Sequence, residues 1–244
     1  DRITDGISAE LNEEENLTVK LAIIGRPNAG KSSISNALTQ SNRNIVTDIP
    51  GTTRDSIDTI IKYHGQDITL IDTAGLRKKS RIKRAESLEY FSALRTHRAM
   101  ERCDVAVIVI DGTTIVTKLS KYIDPAMAIF KLSKEDVEII AKAAELKKGI
   151  MIVINKWDLI EKDSKTAKIF EDKVKEHLKT FDYMPFIFTS AITKQRISKI
   201  MDLAIEVYNE RSKEVKTSEL NAKLGPYITA FPPRSKTQKE IQLN

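Results

Sequence analysis

Residues 25–32 read Gly25-Arg26-Pro27-Asn28-Ala29-Gly30-Lys31-Ser32, and this stretch decides the fold. The apolar run Val19-Lys20-Leu21-Ala22-Ile23-Ile24 leads into it, and a helix-like stretch from Ser33 to Leu38 follows. A buried strand, a glycine-bearing turn and a helix start are the context a phosphate-binding loop needs. Glycines let successive backbone N–H groups turn inward around a phosphate. The helix N-terminus adds further donors and the positive end of its dipole. Lys31 is expected to reach the β- and γ-phosphates, and the Ser32 hydroxyl to ligate Mg²⁺. Alone, this pattern implies a bound nucleotide of unspecified base.

Three further motifs follow, each at the end of a strand-like run. Asp72-Thr73-Ala74-Gly75 closes Ile68-Thr69-Leu70-Ile71. A carboxylate there can hold Mg²⁺ through water, and the Gly75 N–H can meet the γ-phosphate. Asn155-Lys156-Trp157-Asp158 closes the run Ile150–Ile154. The Asp158 carboxylate can accept two hydrogen bonds from adjacent N–H groups on guanine, which adenine does not offer. The wrong base would leave a buried acceptor unpaired, a penalty of roughly 10⁴-fold. Thr189-Ser190-Ala191, after Phe186-Ile187-Phe188, is placed to support the base from the other side. Four motifs in this order specify a GTPase domain. Its expected nucleotide contacts are Gly25 to Ser33, Asp72, Thr73, Ala74, Gly75, Leu76, Asn155, Lys156, Asp158, Ser190 and Ala191.

Composition agrees. The 244 residues, 41% of them hydrophobic, suffice for one normal domain and an appendage. No apolar run approaches the ~20 residues of a membrane helix. The acid-rich N-terminus is unlike a secretory signal. Cys103, the one cysteine, has no partner for an internal disulfide and is expected to pack as a small apolar residue. Both features suggest a reducing, cytoplasmic setting. Residues 1–19 sum to −5 against +6 for the chain, so the remainder carries +11. Residues 1–18 read as an acidic linker or tail. Arg77-Lys78-Lys79-Ser80-Arg81-Ile82-Lys83-Arg84 places six positive charges in eight residues directly after the second motif. It is either a solvated loop or a contact for a phosphate-rich partner such as RNA.

Strands are expected at 19–24, 57–63, 68–72, 105–111, 150–155 and 185–189. Helices are expected at 31–40, 86–101, 133–147, 164–180 and 195–211. Runs such as Val105–Ile110 lack alternation, which implies strands buried on both faces. The fold class is therefore α/β: a P-loop NTPase with a mostly parallel sheet and helices on both faces. The motifs then lie at C-terminal strand ends, where such sheets bind ligands. The stretch 117–131 has no clear period and reads as an irregular insertion.

Gly25–Ser32, Asp48-Ile49-Pro50-Gly51-Thr52-Thr53-Arg54-Asp55, Asp72–Arg77 and Asn155–Ile160 resemble the group of GTPases that includes Era, MnmE and Der. The basic run, Ala99-Met100-Glu101-Arg102-Cys103-Asp104 and the tail around Thr217–Asn221 and Phe231-Pro232-Pro233 are most similar to the second GTPase domain of the Der (EngA) family. The resemblance implies ribosome assembly through nucleotide-dependent binding to large-subunit rRNA or a pre-ribosomal particle. It implies a GTPase domain over 19–212 and the incomplete start of a KH-like domain over 213–244. A first GTPase domain, present in that family, is not in this sequence, so the chain is expected to be part of a longer protein. Leu76 stands where many small GTPases carry a water-positioning glutamine, so slow turnover is expected. Asn28 resembles the asparagine that ligates K⁺ in this group, and Thr53 is the expected second Mg²⁺ ligand, with Thr52 less favoured. Catalysis would then rest on Lys31, Thr53 and Gly75. Two other readings share the motifs: the GTPase module of a tRNA-modifying enzyme similar to MnmE, and a scaffold that binds nucleotide with little turnover.

Overall fold

The computed structural model describes residues 18–40, 45–50, 57–73, 85–117, 129–130, 132–160, 168, 172–173, 175–176 and 183–231. Nine strands are described: β1 Val19–Ile24, β2 Ile45–Pro50, β3 Ile57–Tyr63, β4 Gln66–Ile71, β5 Val105–Asp111, β6 Val116–Thr117, β7 Ile129–Phe130, β8 Gly149–Asn155 and β9 Phe186–Phe188. The helices used below are α1 Lys31–Thr39, α2 Ala85–Arg102, α3 Lys134–Glu145, α4 Ser198–Arg211 and α5 Thr217–Ala230. Seven strands form one sheet in the order β2-β3-β4-β1-β5-β8-β9. Pairings from β4 through β9 are parallel, while β2, β3 and β4 pair antiparallel. This is the P-loop GTPase fold, with a mostly parallel sheet and flanking helices.

The register explains the core. Leu21 sits opposite Val105 and Val105 opposite Gly149, so odd positions of β1, β5 and β8 share one face. Leu21, Ile23, Val107, Val109, Met151 and Val153 pack there with Ile34 and Leu38 of α1 and Ile200 and Met201 of α4. Even positions such as Ile24, Ile108, Ile110, Ile152 and Ile154 pack on the other face with Met100 of α2 and Ile140 of α3. Strands covered on both faces need no polar alternation, which is why the sequence runs are continuously apolar. Cys103 is 1% exposed in that second layer, and burial first of all pushes its thiol up to about 11. It is a packing residue.

Two sequence expectations change. Strand β2 was not among the expected strands, because Thr47, Asp48 and Pro50 break any apolar pattern. An edge strand tolerates them, since one side of its ladder needs no partner. Within the stretch expected to be irregular, Thr117 pairs with Ile129, and Val116 just before it pairs with Phe130. Residues 118–128 between them lie outside the described residues, as does most of the expected helix 164–180. The chain divides into compact units Asp1–Tyr208 and Asn209–Asn244. In the second, α5 buries none of its residues. Among the described residues, no helix is long and apolar enough to cross a membrane.

Candidate nucleotide-binding site

The loop after β1 is shaped by two glycines. Gly25 has φ +147, and a Cβ there would lie 2.2 Å from the Val109 carbonyl oxygen of β5. Gly30 has φ +97 and caps α1 in the left-handed region, where a Cβ would meet Asn155 Nδ2 at 2.1 Å. Both positions therefore exclude side chains on space as well as on backbone conformation. The N-cap of α1, Gly30, has no side chain to offer its N–H groups, and the first turn holds no acid. Its N-terminal end thus keeps the polarity that attracts an anion. Lys31 Nζ folds back over the loop and donates to the Gly25 and Arg26 carbonyls at 2.5 and 2.6 Å. Pro27 and Asn28 are exposed on the crest, with Asn28 at φ +65, while Ala29 is buried.

The motif after β8 meets this loop directly. Asn155, 2% exposed, donates from Nδ2 to the Ala29 carbonyl at 3.0 Å and accepts at Oδ1 from the Ala191 N–H at 3.2 Å. The phosphate loop and the Ser190–Ala191 loop are thereby tied through one amide. Asn155, expected at the nucleotide, spends both ends of that amide on the protein. Trp157 N–H donates to the Thr189 carbonyl at 3.0 Å, and its ring stacks on Phe188 with centroids 4.1 Å apart. These contacts set the short 3₁₀ turn Trp157–Leu159, which leaves Asp158 exposed. Ser190 is buried, and its Oγ accepts the Thr193 N–H at 3.1 Å.

Three carboxylates that sequence reasoning did not single out hold the site from behind. Asp111, at the end of β5, accepts Lys156 Nζ at 2.5 Å and both the N–H and hydroxyl of Thr113, at 3.0 and 2.7 Å. Burial raises its pKa, but the bonds from Lys156 and Thr113 outweigh that and hold it below the ordinary value. Lys156 is thus pinned at φ +63, two residues before Asp158. Asp136 lies in the first turn of α3, where Ser133 Oγ accepts the Asp136 N–H at 3.0 Å and donates to its Oδ2 at 2.8 Å. Arg26 reaches the same oxygen at 3.4 Å, so the phosphate loop leans on that helix start. The Ser133-x-x-Asp136 spacing was a visible capping signal, but its link to Arg26 is a tertiary contact. Asp58, on β3, accepts the Asp72 N–H at 2.9 Å.

Asp72 and Thr73 stand at the end of β4, beside the C-terminal end of β1. Ser32 lies in the first turn of α1, so a hydroxyl and a carboxylate suited to a hard cation occur along this one sheet edge. Thr53, Ala74, Gly75, Leu76 and the basic run Arg77–Arg84 lie outside the described residues.

Residues 20–156 match the family model of the 50S ribosome-binding GTPases. The chain belongs to this GTPase family. GTPase Der of Chloroherpeton thalassium is 46% identical over 99% of this chain and 52% of that protein. GTPase Der of Prosthecochloris aestuarii is 46% identical over 95% of this chain and 49% of that protein. The chain therefore spans about half the length of the curated relatives it matches. The fold is shared with Era, solved with MgGDPNP and nucleotides 1506–1542 of 16S ribosomal RNA, at TM-score 0.55 and 22% identity over 78% of this chain and 56% of that one. It is shared also with elongation factor SelB of Methanococcus maripaludis bound to GppNHp, at TM-score 0.53 and 20% identity over 82% of this chain and 35% of that one.

The Asp111–Lys156 pair gives a pH test. A carboxylate whose pKa is lower folded than unfolded stabilises the fold above its unfolded value of about 3.9 and loses that contribution as pH falls further. Asp111→Asn should cost about 1–2 kcal/mol at pH 7, since a charged hydrogen-bond acceptor is lost. The gap between the mutant and the parent chain should close as pH falls below about 4. Urea melts from pH 3 to 7 check this; a gap that does not change with pH means the pair contributes nothing electrostatic.

Proposed function

We propose that this chain binds GTP and GDP with Mg²⁺ and hydrolyses GTP slowly under K⁺ stimulation. In the cytoplasm it would act in large ribosomal subunit assembly by nucleotide-dependent binding to rRNA or a pre-ribosomal particle. Residues 19–212 are the GTPase domain in this reading, and 213–244 begin a KH-like module. The observation that carries the proposal is the Asn155 amide, which joins the phosphate loop to the Ser190–Ala191 loop that this reading places at the base. Membership of the 50S ribosome-binding GTPase family and similarity to GTPase Der support the cellular role.

In this reading the backbone N–H groups between Gly25 and Ser33, Pro27 having none, receive the phosphates, and the Lys31 ammonium neutralises the β- and γ-oxygens. Asp158 reads guanine, Lys156 lies beside it, and Ser190 and Ala191 close the base site. Ser32 and Thr53 ligate Mg²⁺, with Asp72 holding it through water, and Asn28 ligates K⁺. When bound, these cations supply positive charge where the transition state gains negative charge. The Gly75 N–H contacts the γ-phosphate. Leu76 offers no polar atom to orient the attacking water, so turnover without a partner should be about 10⁻⁴ to 10⁻² s⁻¹.

Guanine selection is tested at Asp158. Asp158→Asn replaces an acceptor by a donor, so GTP affinity should fall by at least about 100-fold while xanthosine triphosphate gains. Unchanged GTP affinity by titration would remove Asp158 from the base site.

The cation role is tested by phosphate release in KCl and NaCl at equal ionic strength. The parent chain should be faster in KCl, and Asn28→Ala should erase the difference while Mg²⁺-GTP binding persists through Lys31 and Ser32. Equal rates for the parent chain in both salts would refute it.

RNA contact predicts a steep fall of rRNA binding with salt, because each phosphate neutralised releases counterion. Replacing Lys78, Lys79, Arg81 and Lys83 by Ala should flatten that dependence and spare GTP binding. A salt slope retained by the quadruple mutant would make the run a solvated loop.

A further inference from the structure

The ladder between β3 and β4 ends where Thr59 faces Leu70. Two residues later the chain leaves the sheet at Asp72, which takes φ +55. Few residues other than glycine adopt that region, and aspartate and asparagine are among those that do. Past the end of the ladder the Asp72 N–H needs an acceptor from elsewhere. Asp58, 9% exposed on β3, supplies one: its Oδ1 accepts that N–H at 2.9 Å. Its other oxygen, Oδ2, accepts from the guanidinium of Arg102, the last residue of α2. A carboxylate this buried is tolerable because each oxygen has a strong donor. The neighbouring residues repeat the grip, for the Thr59 and Thr73 hydroxyls share a hydrogen bond of 2.8 Å and both residues are at most 1% exposed. Two consecutive residues of β3 thus hold two consecutive residues of the second motif. The same carboxylate also holds the far end of the helix that follows that motif.

We propose that Asp58 is a positioning residue for GTP hydrolysis, seconded by Thr59. It fixes the backbone at Asp72 and Thr73 in register with α2, so that the metal-holding carboxylate and the γ-phosphate contact after it are in place when the transition state forms. The proposal rests on the GTPase reading above. Asp58 has no part in the phosphate loop or the base loops, so its loss separates hydrolysis from nucleotide affinity. Displacement of about 1 Å in a catalytic constellation can cost about 100-fold in rate.

The test compares the 244-residue chain with Asp58→Ala, Asp58→Asn and Thr59→Val in single-turnover GTP hydrolysis and in titration with fluorescent GDP. It adds hydrogen exchange at the Asp72 amide. Asp58→Ala should lower the hydrolysis rate 10- to 100-fold, leave GDP affinity within about threefold and speed exchange at Asp72. Asp58→Asn keeps a neutral acceptor and should recover part of the rate. Thr59→Val, nearly equal in volume, should lower the rate several-fold. Hydrolysis by Asp58→Ala within twofold of the parent chain, or GDP affinity falling in step with the rate, would overturn the proposal. Should Asp58→Ala not fold, parental rates in both Asp58→Asn and Thr59→Val would overturn it equally. A parent chain that binds no GDP and hydrolyses no GTP would instead sink the GTPase reading. Exchange at Asp72 would then still report whether Asp58 holds that amide.

Discussion

The Asn155 side-chain amide is the constraint on which the ligand-facing end of the molecule depends. It sits at the end of β8, 2% exposed, and its two ends bond the Ala29 carbonyl and the Ala191 N–H. A buried amide left without these partners would cost roughly 1–3 kcal/mol, so the loops and the amide stabilise one another. The contact also explains Gly30: a Cβ there would lie 2.1 Å from Asn155 Nδ2. The conformational freedom of one residue and the hydrogen bonding of another, 125 positions away, are thus one requirement.

The carboxylates behind the site extend the same logic. Asp111 orients Lys156, Asp136 holds Arg26, and Asp58 holds Asp72. Each comes from a different element, and each touches a residue of a ligand-facing motif rather than the ligand position itself. Each such tie contributes only about 1 kcal/mol to stability. Their effect here is geometric, because each limits where a loop at a strand end can go. The sheet supplies the frame, and these ties fix residues of the loops at its strand ends to neighbouring elements.

The strands β1, β5 and β8 were legible because burial on both faces demands continuous apolar runs. Their observed bounds, Val19–Ile24, Val105–Asp111 and Gly149–Asn155, lie within a residue of the expected ones. The helices α1, α2 and α4 lie within three residues of their expected bounds. Strand β2 was not legible, since an edge strand can carry Asp48 and Pro50 without loss. Asp58, Asp111 and Asp136 were not singled out because an aspartate at a strand or helix end looks the same whether it faces solvent or a lysine. Only the approach of Arg102, Lys156 or Arg26 distinguishes them.

The sequence by itself determined the fold class and the order of the motifs, because both are written in local chemistry: apolar runs, glycines at turns and polar clusters at strand ends. It also carried the identity of the family, through the same short stretches. What only the tertiary structure decided is which groups meet. Strand order brings β1, β5 and β8 side by side, and with them Ala29, Asp111 and Asn155. Those contacts span tens to more than a hundred residues, and no local pattern records them. Side-chain pairing across a sheet edge depends on register and crossover, which the chain acquires only when its core closes.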